Sequence, residues 1–185
     1  KSMLAEDIQP NRLAKAKRLI NRTIDDLHGD RIGIVVFAGE AFVQLPITSD
    51  YRAARLFLNT VETDFISTQG TAIGQAIELA NQSFDLESPA KKAIIVITDG
   101  ENHEDDAIAT AEMIADNDVK VYAVGMGTER GAPLPVGNSK TNFKRDKDGN
   151  IVVSKLNVEM VNEIADAGNG KAYIGSDVNG IVKKL

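Results

Sequence analysis

Short apolar runs alternate with amphipathic segments along this chain, and the alternation restricts it to few folds. The runs IGIVVFA (32–38), AIIVIT (93–98) and VKVYAVGMG (119–127) contain few polar residues, which is typical of strands buried on both faces. The segments with helical spacing of apolar residues are 10–30, 51–61, 71–84, 105–117 and 157–170. This order predicts an α/β domain with a Rossmann-like, doubly wound, mostly parallel sheet flanked by helices.

Two further segments add antiparallel pairs to this core. AFVQLPI (41–47) follows the first apolar run closely enough for a hairpin, and Pro46 predicts that this second strand lies at an edge of the sheet. Asp148-Gly149 separates two extended runs, which is a typical hairpin turn. We therefore expect a β-hairpin excursion near 139–156.

The composition excludes several classes of function. The 185 residues suit one domain, and 43% apolar residues are enough for a core. A net charge of −6 argues against nucleic acid as a partner, because phosphates would repel this surface. Without cysteine there is no disulfide, thiolate metal site or cysteine nucleophile. No run approaches the ~20 apolar residues of a membrane span, so we expect no direct membrane insertion by this segment.

A carboxylate follows the apolar run 93–98, where burial is costly unless a partner compensates the charge. Ligands bind open α/β sheets at the carboxyl ends of the strands, and Asp99 lies at such an end. We expect two hydroxyls at the same rim: that of Thr71, after Gly70 at a helix start, and that of Ser2, in the loop before the first long helix. Taken alone, Asp99 is better explained as a helix cap or a turn former, and Thr71 as a helix cap.

In combination these oxygen donors suit a hard divalent cation. Mg²⁺ takes oxygen ligands in a near-octahedral shell and usually retains several waters. Because hydroxyls leave much of its charge uncompensated, the cation would attract a carboxylate from a partner. We therefore predict Mg²⁺, with Mn²⁺ or Ca²⁺ as alternatives, at Ser2, Thr71 and Asp99. The residues of the predicted partner-binding rim are Gly70, Gly100, Glu101 and His103.

Several stretches resemble the von Willebrand factor type A family, and the resemblance covers nearly the whole chain. They are Ser2-Met3 before a helix, GTAIGQAI (70–77), IIVITDGE (94–101) and VYAVGMGT (121–128). Three others are similar, more narrowly, to the Bat proteins of bacterial aerotolerance operons, and most of all to BatB. They are SMLAEDIQPNRLAKAK (2–17), VFAGEAFVQLPITSDY (36–51) and FKRDKDGNIVVSKLN (143–157).

The resemblance implies a metal-ion-dependent adhesion site. In the family an Asp-x-Ser-x-Ser motif ends the first strand, and Ser2 matches its last Ser, while Thr71 and Asp99 match the Thr and Asp of two other loops. The motif's Asp and first Ser are not in this chain, and neither is the central strand that carries them. In the family this strand lies between the strands that we predict at 32–38 and 93–98. We therefore expect 1–185 to be a single, N-terminally incomplete domain, whose gap is filled by upstream residues or by a strand swapped from a second copy.

The resemblance also implies the role of the domain. It indicates a metal-dependent protein–protein interaction module, not an enzyme, in a bacterial inner-membrane protein with flanking transmembrane segments and a periplasmic domain. The expected partner is a protein that offers Asp or Glu, such as another Bat protein or a MoxR-type ATPase. Two alternatives stay open: a Mg²⁺-dependent α/β hydrolase or phosphatase that uses Asp99, and a scaffold domain with an inert site.

Overall fold

Strands and helices alternate in the computed structural model, which describes residues 1–63, 68, 70–101, 106–137 and 141–175. Within these ranges, a 3₁₀ turn at Ser2–Leu4 precedes five helices: α1 (Arg12–Asp26), α2 (Tyr51–Thr60), α3 (Ile73–Gln82), α4 (Ala107–Ala115) and α5 (Val158–Ala167). The strands are β1 (Ile32–Phe37), β2 (Ala41–Thr48), β3 (Lys92–Thr98), β4 (Val119–Gly125), β5 (Ala132–Pro133), β6 (Val153–Ser154) and β7 (Asn169–Ile174).

The principal sheet is parallel, in the order β3-β4-β7. β3 and β4 pair along their whole length, from Lys92 opposite Val119 to Thr98 opposite Gly125. β1 and β2 form an antiparallel hairpin, and β2 accommodates Pro46 because no strand in the described part of the chain pairs with its outer edge. The predicted mostly parallel sheet and the edge position of Pro46 are both confirmed.

Both faces of the sheet are covered, as in a doubly wound fold. On one face α3, α4 and α5 pack on β3 and β4 in an apolar cluster in which Ile77, Ile114 and Ile164 are fully buried. On the other face α1 packs on β4 through Leu19 and Val124. Successive β4 residues point to opposite faces, so one apolar strand supports both layers.

Between β1 and β3 the sheet is divided. Over the described ranges no ladder joins these two strands, and both line a cavity of about 530 Å³ that α1 and α3 border. β1 is therefore less buried than its apolar sequence predicts: Ile34 is buried, but Val35 and Phe37 remain partly accessible. The division lies where the family resemblance led us to expect a missing central strand.

The excursion and the first helix agree with the sequence in outline and differ in detail. β5 pairs antiparallel with β6, and a bridge between Arg145 and Ile151 closes the turn at Asp148-Gly149. The hairpin is therefore confirmed, although 138–140 lie outside the described residues.

α1 is shorter than the predicted 10–30. It begins after Asn11, whose side chain caps it by accepting a hydrogen bond from the Ala14 amide at 2.8 Å, and the chain leaves it at Leu27.

The packing of α4 allows a matched test of the core. Ile114 is 1% exposed, whereas its neighbour Met113 is 55% exposed. We expect Ile114→Ala to lower the free energy of unfolding by roughly 2–5 kcal/mol, because it removes buried methyl groups and leaves a cavity. Met113→Ala should change it by about 0.5 kcal/mol or less. Urea unfolding measures both, and equal losses would show that α4 is not packed as described.

Candidate metal and partner-binding site

The three predicted ligands line one cavity, the space between β1 and β3. Asp99 follows β3 directly, and Ser2 opens the 3₁₀ turn that leads towards α1. The loop of Thr71 is attached to the end of β1, because the Ala72 amide donates a hydrogen bond to the Ala38 carbonyl at 2.8 Å. The structure thus brings Ser2, Thr71 and Asp99 to the same cavity from three separate loops, and the rim residue Gly70 lines it beside Thr71.

Helix capping does not account for Thr71 or Asp99. The N-cap of α3 is Ala72, so Thr71 is not the cap of that helix. The N-cap of α4 is Asp106, whose carboxylate accepts a hydrogen bond from the Ala109 amide at 3.0 Å. Asp99 therefore does not cap α4, although its Oδ1 accepts a weak hydrogen bond from the Glu101 amide at 3.3 Å, as a turn former would.

Asp99 has a buried partner that the sequence did not lead us to expect. The residue is 2% exposed, and its Oδ2 accepts a hydrogen bond from Nη1 of Arg12 at 3.0 Å. Arg12, the first residue of α1, is itself 0% exposed. This ion pair compensates the carboxylate at the end of β3, which would otherwise be expensive to bury.

The guanidinium of Arg12 is saturated with acceptors. Nε and Nη2 donate to the two carboxylate oxygens of Asp7 at 2.9 and 2.8 Å. Nη1 donates to Oγ of Ser154 at 2.8 Å as well as to Asp99, and Nη2 donates to the Ser154 carbonyl at 3.0 Å. All five N–H donors of the side chain are thereby used. We call Asp7, Arg12, Asp99 and Ser154 the Arg12 cluster; with one guanidinium and two carboxylates its net charge is −1.

Asp7 is held firmly in its ionised form. Burial by itself would raise the pKa of this carboxyl, but hydrogen bonds from Arg12 and from the amide and hydroxyl of Thr128 outweigh burial, and the pKa is lowered. Burial would likewise lower the pKa of Arg12, and the two carboxylates reverse that effect and raise it. Asp7 and Arg12 therefore both stay charged over the ordinary pH range.

A sequence signal for Arg12 does exist. Arg12, Ala16 and Leu19 stand at the spacing i, i+4 and i+7, and all three are buried. A charged residue in phase with the apolar face of a helix must find a buried counter-charge, and Asp99 needed one as well. A pairing of Arg12 with Asp99 would meet both requirements. Nothing in the sequence, however, shows that α1 begins beside the end of β3.

The predicted rim is described in part. Gly100 has φ of +75°, and a Cβ there would lie 2.4 Å from the Asn157 carbonyl oxygen, so glycine is required. Glu101 is partly buried, and its Oε1 accepts a hydrogen bond from Oγ of Ser154 at 3.1 Å, which connects the rim to the Arg12 cluster. His103 lies outside the described residues.

The donor set fits a hard cation with an incomplete protein shell. Ser2, Thr71 and Asp99 offer oxygen donors alone, which suits Mg²⁺ better than a softer ion. In the part of the chain that the structure describes, there is no group of three or more His, Cys, Asp or Glu side chains that could hold a metal. A cation here would depend on hydroxyls, water and one carboxylate, so its remaining positions would be open to a ligand from outside.

A family model described as the von Willebrand factor type A domain matches residues 1–101. The chain belongs to this family. The fold agrees: the von Willebrand A domain of SpRpn10, although only 14% identical, superposes with a TM-score of 0.69 over 98% of this chain and 89% of that one. The predicted von Willebrand A fold is therefore confirmed.

Two solved structures show the narrower membership. An aerotolerance-related membrane protein from Bacteroides fragilis is 47% identical, with a TM-score of 0.95 over 100% of this chain and 90% of that one. BatB from Bacteroides thetaiotaomicron is 46% identical, with a TM-score of 0.90 over 100% and 94%. The predicted resemblance to Bat proteins, and to BatB among them, is confirmed.

Curated relatives are longer than this domain. A UPF0353 protein from Nocardia farcinica is 26% identical over 96% of this chain, and a Borreliella burgdorferi protein is 33% identical over 64% of it. The chain spans 56% of the first protein and 35% of the second. None of the helices described here has the length and apolar character needed to cross a membrane.

Acid should weaken the Arg12 cluster through Asp7. The folded-state pKa of this carboxyl lies below its ordinary value of 3.8, so the carboxylate stabilises the fold above that value and the gain is lost as pH falls through the folded-state pKa. We expect Asp7→Asn to lower the free energy of unfolding by roughly 3 kcal/mol at neutral pH, because a buried ion pair is broken. Below about pH 4 the difference from wild type should shrink.

Urea unfolding of both proteins from neutral to acidic pH measures this effect. The matched control is Asp116→Asn, since Asp116 is exposed just after α4. That variant should differ little from wild type at any pH. A difference for Asp7→Asn that is constant with pH would contradict the assignment of Asp7 as the ionised partner of Arg12.

Proposed function

We propose that this von Willebrand A domain is a protein-interaction module that binds a carboxylate of its partner through a divalent cation, preferably Mg²⁺. Ser2, Thr71 and Asp99 would hold the cation. The observation that carries the proposal is their convergence on one cavity from separate loops, with capping excluded for Thr71. Membership of the Bat-type von Willebrand A proteins supports the interaction role.

The chemistry of the three donors explains why a partner would be needed. Ser2 and Thr71 offer neutral hydroxyls, and Asp99 shares its Oδ2 with Arg12. A bound cation would therefore keep much of its charge and attract an outside Asp or Glu into an open position. Because Arg12 holds one oxygen, contact of Asp99 through a water is the arrangement that suits this site best.

A related fold offers support for metal binding. The proximal thread matrix protein 1 of mussel byssus is 17% identical, with a TM-score of 0.67. One of its structures has zinc in the metal-ion-dependent adhesion site (MIDAS) motif. That protein shows a divalent ion in a fold of this kind. For the present chain we favour Mg²⁺ over zinc, because the three donors include no nitrogen or sulfur.

The divided sheet supports a second part of the proposal. A parallel apolar strand between β1 and β3 would pair with both edges and would end beside Asp99, since β3 does so. The family's Asp-x-Ser motif on that strand would then complete the shell. We propose that this strand comes from upstream in a longer parent protein; a strand swapped from a second copy is the alternative.

The cellular setting is proposed from relatives. The Bacteroides fragilis relative is an aerotolerance-related membrane protein. We propose the same kind of protein here, anchored in a bacterial inner membrane with the domain on the periplasmic side. Another Bat protein or a MoxR-type ATPase would supply the carboxylate.

The environment of Asp99 favours binding over hydrolysis. A nucleophilic carboxylate must reach the substrate's phosphorus in line, but Asp99 is 2% exposed and Arg12 occupies its Oδ2. A phosphatase assay with Mg²⁺ and a small aryl phosphate distinguishes the two roles. Turnover that Asp99→Asn abolishes would establish the hydrolase instead.

Magnesium should stabilise the domain through Thr71. With the domain extended upstream through the family's first strand, Mg²⁺ at 100 times its dissociation constant should add roughly 2.7 kcal/mol to the free energy of unfolding. Thr71→Ala should remove most of this gain, because the variant loses a ligand. Thermal melts with Mg²⁺ and with EDTA measure it, and binding of a candidate Bat partner is measured under the same conditions.

The matched control is Thr60→Ala, because Thr60 is an exposed threonine at the end of α2. This variant should respond to Mg²⁺ as wild type does. Partner binding that is equally strong in EDTA, or unaffected by Thr71→Ala, would refute the metal-dependent mechanism. A scaffold with an inert site would show no Mg²⁺ response in any variant.

A further inference from the structure

We infer that Arg12 is a positioning residue that lowers the Mg²⁺ affinity of the site by holding Asp99 with its own positive charge. The inference rests on the proposed function, because it requires a cation at Ser2, Thr71 and Asp99. It adds a determinant of affinity that touches neither the cation nor the partner. Of the three proposed ligands, Arg12 forms a hydrogen bond with Asp99 alone.

The geometry makes Arg12 a competitor of the cation. The guanidinium and the Asp99 carboxylate are 0% and 3% exposed and 3.0 Å apart, so water screens their interaction poorly. A cation that approaches Asp99 meets one oxygen already paired and a second positive charge behind it. Outer partners of metal ligands usually raise affinity when they are neutral or anionic. A cationic outer partner such as Arg12 should have the opposite effect and lower the affinity.

Arg12 cannot withdraw from Asp99 when a cation arrives. Four further hydrogen bonds fix its guanidinium to Asp7 and Ser154. Gly127 presses against the same group, because a Cβ at this position would lie 2.7 to 2.9 Å from three guanidinium atoms. The competition is therefore a fixed property of the fold, and the cation must share Asp99 with Arg12.

A charge-matched variant separates competition from structural support. In wild type the Arg12 cluster carries one positive and two negative charges, a net −1; in the double variant Asp7→Asn/Arg12→Gln it carries only Asp99, again −1. We expect this variant to bind Mg²⁺ about tenfold more tightly than wild type, although it is less stable. Arg12→Lys, which keeps the positive charge, should bind within about threefold of wild type.

Isothermal titration of Mg²⁺ alone into the domain extended upstream through the family's first strand measures the affinities, and circular dichroism shows which variants fold. Adding Thr71→Ala to each protein identifies this site, because the extra substitution should remove most of the binding. A folded double variant with unchanged or weaker Mg²⁺ affinity would overturn the inference, since a purely structural Arg12 would reduce stability without tightening binding. If wild type and every variant fail to bind Mg²⁺, the proposed function itself fails.

A measurement on wild type keeps the inference testable if the double variant does not fold. The Nε–H of Arg12 donates to Asp7 in a buried setting, so its NMR signal should be slow to exchange, and Arg12→Lys assigns it by removing it. We expect this signal to shift as Mg²⁺ saturates the site, because the cation would compete with Arg12 for the Asp99 carboxylate. An unchanged signal at saturation would overturn the competition.

Discussion

The buried pairing of Arg12 with two carboxylates holds together the end of this domain that carries the candidate site. The guanidinium connects the start of α1 to Asp7 before it, to Asp99 after β3 and to Ser154 in the excursion. Thr128, just beyond β4, joins through Asp7. A buried ion pair with every donor satisfied adds little net stability, but losing one partner is expensive. The cluster therefore fixes which loops meet at the rim more than it stabilises the fold.

The division of the sheet and the candidate site belong to one architectural feature. β1 and β3 face the same cavity, and Ser2, Thr71 and Asp99 line it as well. A strand that filled the space between the two edges would therefore satisfy their backbone groups and deliver its own end to the rim. In such a design, the pairing of the strands would also complete the proposed ligand shell.

Much of the fold followed from the sequence, because apolar runs and helical spacing report burial directly. The positions at strand ends and helix starts also predicted which candidate ligands lie at the rim, namely Ser2, Thr71 and Asp99. Arg12 was not, because its partners Asp99 and Ser154 lie 87 and 142 residues away and only tertiary packing brings them together. Composition could not reveal the division between β1 and β3 either; the family resemblance did.

The buried Arg12 also constrains a residue that is distant in the sequence, Gly127. Its φ is +134°, and the space a side chain would need is taken by the Arg12 guanidinium. An alanine there would have to displace a group that five hydrogen bonds hold. The arginine at 12 and the glycine at 127 are therefore coupled by contact. A homologue that loses the arginine would lose the steric reason for this glycine, although the positive φ would still favour it. A side chain at 127 should accordingly be found only together with a smaller residue at 12 and a changed turn after β4.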